Sequence, residues 1–249
     1  MDPWDYKPAE DLNLTTGPRS RSLKREPGLA SAVAHAGWLA SVKVYLKVYH
    51  RLKVHGREHL PAATPFVLIA NHTSHLDAMT LAAVLRAALW DRVFPVAAGD
   101  VFFDSAAKSF LSATLINALP MWRKSCGPHA LDDLKTRLVS GSCGLILFPE
   151  GTRSRDGSPN PFKAGLGMIV AGTAVPVVPC HIRGAFEAWR PGRRWPSPKR
   201  VEVRVGPPLL FDGVKKGRDG WDHVARECEA AVRALSGVPV PPPDSVDPA

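Results

Sequence analysis

The chain has 249 residues, 45% of them hydrophobic, and a formal charge of +9 at pH 7. At that length it forms one large domain or two small ones, and a single α/β core would bury roughly three quarters of its extended surface without disulfide or metal staples. Four cysteines, Cys126, Cys143, Cys180 and Cys228, stand apart with no CxxC pair, which excludes a local zinc site or disulfide framework and predicts reduced thiols in the cytosol.

Residues 1–26 are polar, charged and dotted with proline, and are expected to be a flexible arm. Their opening, "MDPWDYKPAEDLNLTT", has neither a basic n-region nor an apolar h-region, so no secretory signal is expected. Residues 27–53 turn helical. Trp38, Val42, Tyr45, Tyr49 and Leu52 recur at steps of four and three, while Lys43, Lys47 and Arg51 recur at steps of four. The segment is interrupted by His35 and Lys43 and falls short of about 18 uncharged apolar residues, so it is not expected to span a bilayer. Two readings stay open: a surface helix packed on the core, or a helix in a membrane interface with its aromatics at headgroup level.

Strand candidates follow at 66–70, 92–98, 144–148, 175–182 and 200–205. The first, third and fourth are nearly continuous apolar runs, as strands covered on both faces require, whereas "VEVRV" alternates like an edge. Helical patterns intervene after His75, from Pro128, after Lys163, and in "DGWDHVARECEAAVRALSG", with an Asp cap and a closing Gly237. Strands alternating with helices predict an α/β fold: a mixed, largely parallel central sheet flanked by helices. Residues 237–249, with five prolines, read as an extended tail.

The strand at 66–70 runs directly into "NHTSHLD". Thr73 or Ser74 can cap the next helix, which leaves His72 in the strand-to-helix turn and Asp77 in the first helical turn. Residues five apart on one continuous helix diverge by about 140°, so His72 meets Asp77 only from off the helix. An imidazole held by a carboxylate in one tautomer is a general base for a hydroxyl proton. The spacing alone also allows a capping Asp beside a buried His, or a metal held by His72, His75 and Asp77, although no further His or Cys ligand is evident.

"GLILFPEGTRSRDG" repeats the strand-to-turn pattern. Gly151 lets backbone approach a ligand, Arg153 offers a planar fork for phosphate oxygens, and Thr152 and Ser154 add hydroxyls. The plain alternative is a tight turn in which Glu150 and Arg153 pair with each other. No Gly-Lys-Ser/Thr follows, which argues against nucleotide hydrolysis. Between the two turns lies "NALPMWRKS", with Arg123 after an apolar run; Lys163 follows in "NPFKAG".

In this order, "NHTSHLD", Arg123, "FPEGTRS", "FKAG" and "VPVVP" resemble the glycerolipid acyltransferase family of bacterial 1-acylglycerol-3-phosphate acyltransferases, over roughly residues 54–212. The resemblance implies a catalytic domain over 54–236 that transfers a fatty acyl group from acyl-CoA or acyl carrier protein to a lysophospholipid hydroxyl, most simply 1-acylglycerol-3-phosphate giving phosphatidic acid. It implies His72 as base, Asp77 as its orienting carboxylate, and Arg123, Glu150, Gly151, Thr152 and Arg153 around the acceptor phosphate, with Asn71, Ser74 and Lys163 in support. A thioester is already activated, so no metal or redox cofactor is expected. One block departs from the family pattern: Asn117, Met121 and Trp122 surround Arg123 where many relatives carry Gly, an apolar pair and Asp.

Residues 181–204 carry seven Lys/Arg against two Glu, and "WRPGRRWPSPKR" mixes tryptophan with these cations. This reads as a solvated loop or as a contact with anionic headgroups. Tryptophan between arginines also suits stacking on bases, but a nucleic-acid binder gives no reason for His72, Asp77 and "FPEGTRS" to occur together, so no nucleic acid is expected. The remaining alternatives are a thioesterase on the same fold and a non-catalytic binder of anionic lipid. The expected place is the cytoplasmic side of a membrane, peripherally bound.

Overall fold

The five segments marked as strands all pair in one sheet, and two three-residue strands extend it. The computed structural model describes residues 11, 14–23, 25, 28–121, 128–140 and 143–237. In chain order the elements are α1 (Thr16–Arg21), α2 (Leu29–Val48), β1 (Lys53–His55), β2 (Phe66–Ala70), α3 (Asp77–Val84), β3 (Val93–Ala98), α4 (Gly99–Phe102), α5 (Ala106–Leu115), β4 (Leu119–Met121), α6 (Pro128–Val139), β5 (Gly144–Leu147), α7 (Gly165–Val170), β6 (Val177–Arg183), α8 (Ala185–Trp189), β7 (Glu202–Val205) and α9 (Arg218–Ala234).

The sheet order is β1-β7-β6-β2-β5-β3-β4, parallel throughout except between β6 and β7. β2 lies at its centre with all five residues inaccessible, which is why its sequence is an unbroken apolar run. Its side chains alternate between the two faces. Phe66, Leu68 and Ala70 join the core under α2 and α3, and Val67 and Ile69 join the core under α6, α7 and α9. The alternation in β7 has a different cause from the one expected. β7 is not an edge: β6 flanks it on one side and β1 covers the other, and only one of its faces is buried.

β2 and β5 are parallel neighbours in the register Ile69↔Leu147. The chain therefore leaves both strands at the same sheet edge, and the turn carrying His72 emerges beside the turn carrying Glu150 and Arg153. This is the end of a parallel sheet where a crevice forms.

Within the expected flexible arm, residues 16–21 form α1 against α5, and Asp11, Ser20 and Arg25 are buried. Arg25 explains the docking: it donates to Asn117 Oδ1 at 2.9 Å and to the carbonyls of Ala118 and Ser20 at 3.2 and 3.3 Å. Asn117, at φ 54, also donates to the carbonyls of Asp91 and Val93, so the residue that departs from the family pattern is a strut ahead of β4. At α9 the N-cap is Gly217 rather than an aspartate, and Asp219 lies in the first turn.

α2 buries His35, Leu39, Val42 and Leu46 rather than the whole aromatic stripe; Trp38 and Tyr49 stay partly exposed at its border. On the opposite face Leu29 and Val48 are 85% and 72% exposed, with Val33 and Val44 beside them. α2 is thus apolar on two faces, only one of which the protein covers. With 20 residues and a mean hydropathy of 1.2, it is the one helix among the described residues long and apolar enough to cross a membrane by length and composition. His35, which seemed to interrupt the segment, is buried and paired with Asp91 at 3.2 Å.

α7 packs on α9 through Gly167, where an added Cβ would stand 2.4 Å from Trp221 Cα. Backbone cannot yield as a flexible side chain does, so Gly167→Ala is expected to cost about 1–3 kcal/mol in chemical denaturation. An unchanged midpoint would show that the two helices can part freely.

Candidate active site

His72 sits where the sequence places it, off the helix and facing back to it. Its Nδ1 donates to Asp77 Oδ2 at 3.0 Å, and the same oxygen accepts the Thr73 and Ser74 amides, each at 2.7 Å. Asp77 is fully buried and His72 is 21% exposed. Neither Thr73 nor Ser74 is the N-cap. α3 begins later, with Leu76 as its N-cap, and ahead of it Ser74 Oγ accepts from Leu76 N at 3.1 Å. With Nδ1 committed as a donor, the free lone pair of His72 lies on Nε2. Phe148 stacks on the imidazole at 4.1 Å between centroids and 19° between planes, which fixes the ring.

The two turns are tied together through Glu150. Its Oε1 accepts from His72 N at 2.8 Å, and its Oε2 accepts from Asn160 N and Nδ2 at 3.0 and 3.1 Å. Ser154 N donates to His72 O at 2.8 Å, closing the tie from the other side. Glu150 was expected among the phosphate contacts. It is instead buried with both oxygens engaged, and a carboxylate there would repel a phosphate rather than bind it. Burial pushes its carboxyl above the usual range, and the hydrogen bonds from His72 and Asn160 oppose that shift.

Arg153 does not pair with Glu150. It is half-buried and its Nη1 lies against the ring of His75, and among the described residues no carboxylate forms an ion pair with it. Burial lowers its pKa and Asp77 opposes this, and among the described residues the guanidinium has no direct counter-ion. Gly151 adopts φ 73, and an added Cβ would lie 2.8 Å from Lys163 Nζ; the glycine makes room for that ammonium above the turn. Lys163 N donates to Pro149 O at 3.0 Å. Thr152 is exposed beside them. Arg123 lies outside the described residues.

Asn71 has a structural task. Its amide donates to Ile182 O at 2.9 Å and accepts from Ile182 N at 2.8 Å, fastening the end of β2 to β6. A metal held by His72 and His75 together is disfavoured, because one imidazole is committed to Asp77 and the other faces a guanidinium. Cys180 and Cys228 are buried thiols pushed up to about 12, which removes them as nucleophiles.

The family model described as Acyltransferase matches residues 51–183, more than half of the chain. The chain belongs to the acyltransferase family. It is 29% identical over 199 residues to mouse 1-acyl-sn-glycerol-3-phosphate acyltransferase alpha, covering 79% of this chain and 65% of that protein. A chloroplastic 1-acyl-sn-glycerol-3-phosphate acyltransferase of Brassica napus is 32% identical over 149 residues, covering 58% and 40%. The chain thus spans just under two thirds of the mouse relative's length. The solved structure of the 1-acyl-sn-glycerophosphate (LPA) acyltransferase, PlsC, from Thermotoga maritima superposes with a TM-score of 0.61 at 24% identity, covering 82% of this chain and 81% of that one, and shows the fold.

The acyltransferase family match includes both turns and the supports that sequence reasoning missed, Phe148 and Asn160. Trp189 lies beyond the matched span and accepts from Ser74 Oγ at 2.7 Å through its carbonyl. Phe148 adjoins the "PEGTR" core and could have been found there; Asn160 carries no signal of its own, and neither does the carbonyl of Trp189.

Proposed function

We propose that this chain transfers a fatty acyl group from an acyl-CoA or acyl carrier protein thioester to the free hydroxyl of 1-acylglycerol-3-phosphate, giving phosphatidic acid. The observation that carries the reading is the His72–Asp77 pair, with Nε2 free, beside an Arg153 that has no direct anionic partner among the described residues. His72 Nε2 takes the hydroxyl proton while Asp77 stabilises the imidazolium. The acceptor oxygen attacks the thioester carbonyl, the C–S bond breaks, and the thiolate leaves with the proton that His72 returns. Arg153 and Lys163 hold the acceptor phosphate near that nitrogen, and the reaction calls for no metal or redox cofactor.

The test is mass spectrometry of lipids after incubation with vesicles, 1-acylglycerol-3-phosphate and each donor, with His72→Ala in parallel. Phosphatidic acid that vanishes in the variant supports the reading. Free fatty acid alone would make the protein a thioesterase, and no product would make it a binder.

The enzyme of this reading meets its acceptor at a membrane. The C-terminal end of α2 and the loop 190–200 form one surface: Tyr49 Oη donates to Pro196 O at 3.3 Å, Arg51 to Pro198 O at 3.0 Å, and His50 Nδ1 to Lys199 O at 2.9 Å. That surface carries Trp195, 69% exposed, with the Arg194 guanidinium 5.7 Å from its ring. It suits the anionic headgroups of a cytoplasmic leaflet, with α2 lying in the interface because its other face is core. Reversing Arg193 and Arg194 to glutamate is expected to weaken sedimentation with phosphatidylglycerol vesicles by about tenfold or more at low salt. Unchanged sedimentation would remove the loop from the membrane face.

A further inference from the structure

The carboxylate that orients His72 is only half used. Asp77 Oδ2 accepts from His72 Nδ1 and from the Thr73 and Ser74 amides, whereas Oδ1 is buried and has no hydrogen-bond partner among the described residues. Thr80 is in the same position: the residue is inaccessible, and its hydroxyl is unpaired among the described residues. Its amide already donates to Leu76 O at 2.8 Å, the bond of a regular helix. Residues three apart on a helix are neighbours, with about 5–6 Å between their Cβ atoms. Side chains also lean toward the helix N-terminus, which carries the Thr80 hydroxyl back toward Asp77. A bare carboxylate oxygen and an idle hydroxyl thus sit inaccessible within one turn of α3, and each has what the other lacks. Among the described side chains the other buried donor without a partner is Trp90 Nε1, which stands ahead of β3 at the opposite end of the sheet.

We propose that Thr80 is a positioning residue for the catalytic pair: its hydroxyl donates to Asp77 Oδ1, by rotation of the Thr80 side chain or through one enclosed water, and so sets how strongly the carboxylate holds the imidazolium. The proposal rests on the acyl-transfer reading for the role of His72 as base. A hydrogen bond to a carboxylate favours and disperses its charge. Without that bond Asp77 draws the proton on His72 more firmly, and the imidazole stays protonated to higher pH. The titratable and charged groups around the pair are His75 from its own turn and Glu150 and Arg153 from the β5 turn; α8 brings the uncharged indole of Trp189 against His75. α2 and β2 present Leu39, Val42, Leu46, Leu68 and Ala70 to the core that α3 shares. Among the described residues none of these groups bonds to Oδ1.

The experiment compares Thr80→Val, which keeps the shape and removes the donor, with Thr80→Ser, which keeps the hydroxyl. Both are read against the wild type in kcat, the KM of each substrate, and the acid limb of kcat/KM between pH 5 and 9. The phosphomonoester of the acceptor itself titrates near pH 6, so all three proteins share one buffer series. Thr80→Val is expected to move the acid limb up by about one pH unit and to lower the plateau kcat about tenfold, with both KM values within about twofold. Thr80→Ser should keep the wild-type limb. The His72 ring, assigned by the loss of its signal in His72→Ala, is titrated by NMR in the same proteins without substrate and should show the same shift. Thr80→Ala takes the place of Thr80→Val where valine disturbs the packing. A Thr80→Val whose acid limb and ring titration stay where the wild type has them, whatever its melting temperature, would mean an idle hydroxyl and overturn the proposal. A Thr80→Ser that shifts as far as valine would do the same. A ring titration that moves in Thr80→Val alone, with no acyl transfer by any of the proteins, would overturn the reaction and leave the link to Asp77 standing.

Discussion

His72→Ala is expected to reduce acyl transfer by about 10³-fold while leaving the fold intact, since general-base catalysis is worth about 10² to 10⁴. The imidazole is partly exposed and its side chain makes one hydrogen bond, to Asp77. The backbone bonds of His72 to Glu150 and Ser154 survive the substitution. Steady-state rates together with a melting curve would check both halves, and a variant that keeps even a tenth of the activity would move the base elsewhere. Asp77→Ala should behave differently. It would also strip the Thr73 and Ser74 amides of their acceptor, so it should lose both rate and stability.

The second large effect is expected at Glu150. Removing its carboxylate orphans three donors in a buried place, His72 N, Asn160 N and Asn160 Nδ2, at a cost of about 3 kcal/mol or roughly 10 °C in melting temperature. Glutamine should help little: it has one acceptor oxygen where the two turns require two. Because Glu150 locates the backbone of His72, both variants should lower kcat more than they raise the acceptor KM. A phosphate contact would give the reverse, a raised KM with little change in melting. Kinetics and calorimetry on the same preparations separate the two outcomes.

Continuous apolar runs made β2, β5 and β6 legible, because a strand covered on both faces leaves no room for polar positions. β1 and β4, "KVH" and "LPM", carry no period of their own; each pairs with a strand that the rest of the fold supplies. The His72–Asp77 geometry followed from helix arithmetic. The role of Glu150 did not, because its partner His72 is 78 residues away and the side chain's direction depends on the register of β2 against β5. In α2 the aromatic stripe and the Leu39–Leu46 stripe are both apolar, so periodicity alone could not choose the inward face. The Trp189 contacts to Ser74 and His75 likewise join segments that only the folded chain brings together.

The two-sided character of α2 sets how the protein can be handled as a reagent. Deleting the helix to obtain a detergent-free preparation would open the core, since Leu39, Val42 and Leu46 are part of it. Polar replacements at Leu29, Val33, Val44 and Val48 touch only what the solvent already reaches. Such a surface-edited chain would keep its crevice while losing its hold on lipid, so it would turn over acceptors dispersed as monomers and ignore the same molecules packed in a bilayer.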